Sequence, residues 1–160
     1  MMMISRKGLV ALAAIATFST TAVLQSAPVV AQSSSAAAVA ERQKIFEGLK
    51  DNMAPLATIA RGKAPADKAV MTKHAKNIAV YARKVDAAFD VNTAGTSHKT
   101  EALPAIWSNR ADFKAKASAL VSASDKLVAA AGTGDKGKMV GALRGVGAAC
   151  KDCHDKYRSE

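Results

Sequence analysis

The chain has 160 residues, with 23 Lys and Arg against 13 Asp and Glu, a formal charge of +10, and only two cysteines. Its length allows one domain around one core and not comfortably two. The basic residues are dispersed rather than gathered into a run and no nucleic-acid motif accompanies them, so a solvated surface, not a nucleic-acid partner, is the reading of the charge.

The amino-terminal stretch reads as an export leader. Arg6 and Lys7 form a positive start, Gly8 to Phe18 an apolar segment, and Val29, Val30 and Ala31 a small-residue cleavage site. Ser19, Thr20 and Thr21 interrupt the apolar segment too early for a secure membrane span. The expected division is a leader over 1–31 and a single domain over 32–160, placed in the periplasm with no stable span after cleavage.

The remainder is rich in Ala and Lys and poor in aromatic and β-branched runs, which favours helices. A first helix is predicted from about Ala36 to Arg61, with Val39, Phe46, Leu49, Met53, Leu56 and Ala60 on its apolar side and Gly62 as its stop. Pro55 lies inside it, so a kink near Asp51 is expected. A second helix is predicted from near Pro65 to near Phe89, with Met71, Ala75, Ile78, Ala82, Val85 and Phe89 inward. A polar connection follows, from Asp90 to Glu101. The third begins around Pro104 and carries Ile106, Phe113, Ala117, Leu120, Leu127 and Ala131 until Gly132, Thr133 and Gly134 end it. The fourth, from about Asp135 to Arg158, presents Met139, Leu143, Val146, Cys150, Cys153, His154 and Tyr157 on one side. Gly137, Gly141, Gly145 and Gly147 are costly there; close approach of a ligand or helix, or simple tolerance, would account for them. Four helices with short connections prefer an all-α, antiparallel up-down-up-down bundle.

The last helix holds the chemistry. Cys150, Lys151, Asp152, Cys153 and His154 form a CxxCH motif, and in an exported chain this is the attachment site of a c-type haem. Positions i, i+3 and i+4 share one helix face, so two thioethers and an imidazole can meet one flat ligand, with His154 as the iron's axial ligand. A zinc site would need four ligands, and beyond this cluster only His74 and His98 are offered among histidines and cysteines. A thioredoxin-like dithiol wants a βαβ context that is not visible. A disulfide between residues three apart on one helix has poor geometry. His74 and His98 read as surface or rim histidines.

A carboxyl-terminal CxxCH on the last helix of such a bundle resembles the class II cytochromes c, typified by cytochrome c′. The segments Ala102 to Trp107, Ile59 to Gly62, and Cys150 to Arg158 are also similar to that family. The resemblance implies one covalent haem and a sixth iron position governed by the first helix, where low-spin members place a Met and cytochromes c′ a residue that does not ligate. Counting back from Gly62, that position is Phe46, which would cap an open iron face; an ordinary packed aromatic is the compatible bland reading. Arg42 and Gln43 resemble the pair that relatives hold near the haem propionates, against a snorkelling Arg42 whose guanidinium reaches water. Arg158 resembles the basic residue beside the proximal face, against a fraying terminal Arg. Trp107 and Tyr157 read as packing.

The function implied is one-electron transfer with binding of a small gas, nitric oxide above all or carbon monoxide, at five-coordinate iron, without catalytic residues. Two alternatives stand beside it. One is a six-coordinate electron carrier using a ligand such as Met53, though this lies about 10 Å along the helix from Phe46. The other is a haem enzyme, a peroxidase or nitric oxide reductase, for which no distal acid or base is placed. An acidic redox protein would be steered to the basic surface, and relatives pair through their first two helices, so a homodimer is also expected.

Overall fold

The computed structural model describes residues 27–159, so the leader reading lies outside it except for the residues from 27 to 31, which are helical. Five helices make up most of the described chain: α1 Ala27–Ala60, α2 Lys68–Ala82, α3 Ala105–Ser108, α4 Arg110–Gly132 and α5 Lys136–Tyr157. A 3₁₀ turn, Ala87–Phe89, lies between α2 and α3. The four long helices pack in a closed circuit, α1 on α2, α2 on α4, α4 on α5 and α5 on α1, with the last of these meetings the slightest. This is the up-down-up-down four-helix bundle expected from the sequence. No described helix is long and apolar enough to cross a membrane.

The core lies where the periodicities put it. Leu56, Ile59, Met71, Ile78, Phe113, Leu127, Met139 and Val146 are fully buried, each burial contributing about 1.5–3 kcal/mol for a large apolar side chain. On α1 the buried face is completed by Ile45, Leu49 and Ile59, while Phe46 is 37% exposed. Its reading as an ordinary core aromatic is therefore corrected: Ile45, one position earlier, fills the core.

Local chemistry sets the helix ends. Gly62, at φ 74°, turns α1 out, and its N–H donates to the Ile59 carbonyl at 2.9 Å. Asp67 and Asp135 cap α2 and α5, their carboxylates accepting from the backbone N–H of Val70 (2.8 Å) and Lys138 (3.0 Å). α1 runs unbroken through Pro55.

Two predicted helices are shorter than expected. α2 stops at Ala82 rather than near Phe89, although Val85 and Phe89 keep their buried positions. Beyond it, side chains from elsewhere take the carbonyls: Arg42 takes Ala88 and Val91, Trp107 Nε1 takes Phe89, and Arg110 takes Asp86. Tertiary donors thus replace the helical ladder. The predicted third helix is divided at Asn109 (φ −124°, ψ 44°), whose side-chain amide donates to the Ala105 carbonyl at 3.2 Å and competes with the backbone there.

Gly48 marks the closest approach of α1 and α2, since a Cβ there would lie 2.3 Å from the Tyr81 ring. By contrast, a Cβ on Gly141, Gly145 or Gly147 meets no atom within 4 Å, so no neighbouring helix requires those glycines. Polar contacts close the α4–α5 seam: Lys116 with Asp152 at 2.6 Å, Lys156 with Asp112 at 2.9 Å, and the Tyr157 hydroxyl donating to Asp112 at 2.5 Å.

Candidate haem site

Helix α5 carries Cys150, Cys153 and His154 in its last two turns, all half-buried, on the side whose earlier residues Met139, Leu143 and Val146 enter the core. Both cysteine side chains pack against the core cluster. Burial pushes both thiols up from their ordinary pKa. Burial, and then the charge of Arg158, holds the His154 imidazole below its usual value and so favours the neutral ring that ligates a metal.

The turn after α5 is tied down on several sides. Arg158 pairs its backbone with Ala102, its N–H donates to the His154 carbonyl at 3.1 Å, and its Nε donates to Glu101 at 2.6 Å. Leu103 N–H donates to the Tyr157 carbonyl at 3.0 Å, and Ser159 N–H to the Glu101 carbonyl at 2.9 Å. Arg158 is therefore not a fraying terminal residue. With His154, Asp155 and Ser159 it lines an open hollow at this end of the bundle.

On α1, Arg42, Gln43 and Phe46 face the segment from Ala88 to Lys99. Phe46 meets Phe89 edge-on, with ring centroids 6.3 Å apart, and an aromatic series continues through Phe113 (4.9 Å) to Tyr157 (5.4 Å), one turn beyond His154. Arg42 is 3% exposed, so it does not snorkel to water. Its Nε donates to Ala88, one terminal nitrogen to the Thr93 hydroxyl (2.7 Å) and the other to Val91 (2.6 Å). The guanidinium also lies 4.3 Å from the centre of the Phe89 ring and 5.3 Å from that of Trp107. Gln43 Nε2 donates to the Lys99 carbonyl at 3.4 Å. Met53, two turns on from Phe46, is partly buried against the core.

These residues fit a flat, largely apolar macrocycle. The motif thiols are half-buried on the inward side of α5, α5 meets α1 only slightly, and Phe46 leaves more than a third of an aromatic ring uncovered on α1. A ring tethered at Cys150 and Cys153 would find apolar wall and little competing side chain between these two helices.

Several residues around Arg42 and Phe46 carried no functional signal in the sequence. Thr93, in a connection of unknown conformation, holds Arg42, and no periodicity could have shown it. Phe89 was legible only as core, and the Trp107 indole bond to its carbonyl only as packing.

Comparison with known proteins agrees with this geometry. The family model described as Cytochrome C' matches residues 37–158. Cytochrome c' of Rubrivivax gelatinosus is 37% identical over 123 residues, covering 77% of this chain and 95% of that protein. The crystal structure of cytochrome c' from the same organism superposes with a TM-score of 0.71 at 38% identity, covering 76% of this chain and 94% of that one. A nitric oxide complex of a mutant of cytochrome c prime from Alcaligenes xylosoxidans gives 0.71 at 32% identity, covering 79% and 97%.

Proposed function

The chain belongs to the cytochrome c′ family and carries one c-type haem attached through Cys150 and Cys153; from that premise we propose that it works as an exported, periplasmic one-electron haem protein that binds nitric oxide at an open axial position. The observation that carries this reading is the pairing of a CxxCH helix with Phe46, a side chain with no ligating atom, on the helix across from it. Structures of relatives complexed with nitric oxide and with carbon monoxide support the gas ligands. The haem iron, when bound, supplies the ferrous–ferric couple and an affinity for small diatomic molecules.

The protein's own residues do the rest. His154, whose burial favours the neutral imidazole, would offer a ring nitrogen to the iron. Phe46 excludes large or polar ligands by bulk and by providing no hydrogen bond. Arg42 fixes the 88–93 segment, and with it the Phe89 ring against which Phe46 rests. Gln43, bound to the Lys99 carbonyl, would serve the propionates, and Arg158, beside His154, the proximal side. On α2, the exposed Val70 and Val80 would suit an isologous contact with a second copy.

The optical spectrum of the ferrous protein, with and without nitric oxide or carbon monoxide, tests the reading. A broad high-spin band that moves on adding gas is expected. Sharp, split low-spin bands indifferent to gas would establish a sixth protein ligand and overturn it.

A further inference from the structure

Among the described residues two sealed side-chain polar atoms lack a hydrogen-bond partner, Thr72 Oγ1 and His98 Nε2. Thr72 is on α2, which packs chiefly on α1 and α4. His98 is placed differently. Its neighbour Lys99 accepts from Gln43 of α1, and Glu101 accepts from Arg158 and Ser159 just beyond α5. The stretch from His98 to Ala102 therefore crosses from α1 to the end of α5, bridging the neighbouring long helices with the slightest contact, which carry Phe46 on one side and the CxxCH motif on the other.

A haem held by two thioethers brings two carboxylates of its own, on the edge away from the tethers. Arg42, one candidate partner, already directs a nitrogen each to Ala88, Val91 and Thr93, and Gln43 directs its amide to Lys99. His98, next to Lys99 in the same connecting segment, has a ring nitrogen to spare. A neutral imidazole carries one N–H, and an N–H donated to a carboxylate is among the stronger hydrogen bonds because the acceptor is charged. An inward imidazole nitrogen without a partner is costly alone and is satisfied by such a carboxylate. We propose that His98 donates its Nε2 proton to a haem propionate and so positions the haem edge from the connecting segment, not from a bundle helix. This rests on the haem lying between α1 and α5.

The test uses the haem-loaded chain and the variants His98→Gln, which keeps a donor, and His98→Leu, which does not. Resonance Raman scattering reads the propionate bending band. The band is expected to move to lower frequency in His98→Leu and to stay near its wild-type position in His98→Gln. The reduction potential is expected to fall only in His98→Leu, because the carboxylate's charge is then less neutralised and favours ferric iron. A band unmoved in His98→Leu, or moved equally in both variants, overturns the proposal. Should His98→Leu not fold, nitrogen-15 NMR of the wild-type ring decides: a slowly exchanging, hydrogen-bonded Nε2 proton supports the bond and a freely exchanging one overturns it. A normal covalent-haem spectrum with an unmoved propionate band sinks the role of His98 alone, whereas a wild-type chain without covalent haem sinks the reading of the site.

Discussion

Arg42 is a buried cation whose hydrogen bonds go to two carbonyls and a hydroxyl, while aromatic rings cover its plane. Removing it strands those acceptors in a dry environment. Arg42→Ala is expected to cost about 2–4 kcal/mol in chemical denaturation, and Arg42→Lys to recover little, since an ammonium cannot serve acceptors spread over a planar fork. Phe46 gives a sharper test of the site. Phe46→Met offers a thioether where the ring now stands, so the ferrous spectrum is expected to turn low-spin and lose its response to carbon monoxide. The Tyr157–Asp112–Lys156 group predicts pH behaviour. The Tyr157 hydroxyl, then Lys156, hold the Asp112 carboxyl below its usual range, a stabilisation present above the unfolded pKa of about 4 and lost as pH falls through the folded value. Burial and the same hydrogen bond raise Tyr157, a contribution present below about pH 10 and lost as pH rises toward its folded value. Tyr157→Phe is therefore expected to lessen the acid-side loss of stability and only part of the alkaline one, because Asp112 also raises Lys156; urea midpoints measured across pH check both.

On α5, Gly141 and Gly145 are exposed, and a Cβ on either meets no protein atom within 4 Å. Gly141→Ala and Gly145→Ala are expected to raise stability by about 0.5–1 kcal/mol each, roughly additively, in thermal unfolding of the haem-loaded protein. At this scale the sequence was most legible where a repeating pattern governed. The stripes through Met71, Phe113 and Val146 and the stops at Gly62 and Gly134 were readable because they depend on residues within a turn or two. The end of α2 was not, because Val85 and Phe89 remain in helical phase while their backbone is claimed by Arg42, Trp107 and Arg110 from distant parts of the chain. The burial of Phe46, though not its candidate role as a cap, was misread for a related reason. Its spacing fits the core stripe as well as Ile45 does, and only the rotation of α1 against its neighbours decides which of the two turns inward. The CxxCH motif and Arg42 stood out from the sequence because their chemistry is unusual where they occur.

Across the whole molecule the charge is strongly positive. Without Arg6 and Lys7 there remain 21 basic residues against 13 acidic ones, a formal +8. Association with an acidic redox protein is expected to slow markedly as ionic strength rises from about 10 to 150 mM, measured by stopped-flow electron transfer. The half-buried thiols of α5 have a bearing on biogenesis. In the folded bundle Cys150 and Cys153 lie against apolar neighbours, and burial raises their pKa values, which disfavours the thiolate. A protein in which porphyrin joins an open chain before the helices close would meet no such obstacle, and haem attachment to the unfolded chain is expected to outpace attachment to the folded one, measured by the growth of covalent-haem absorbance.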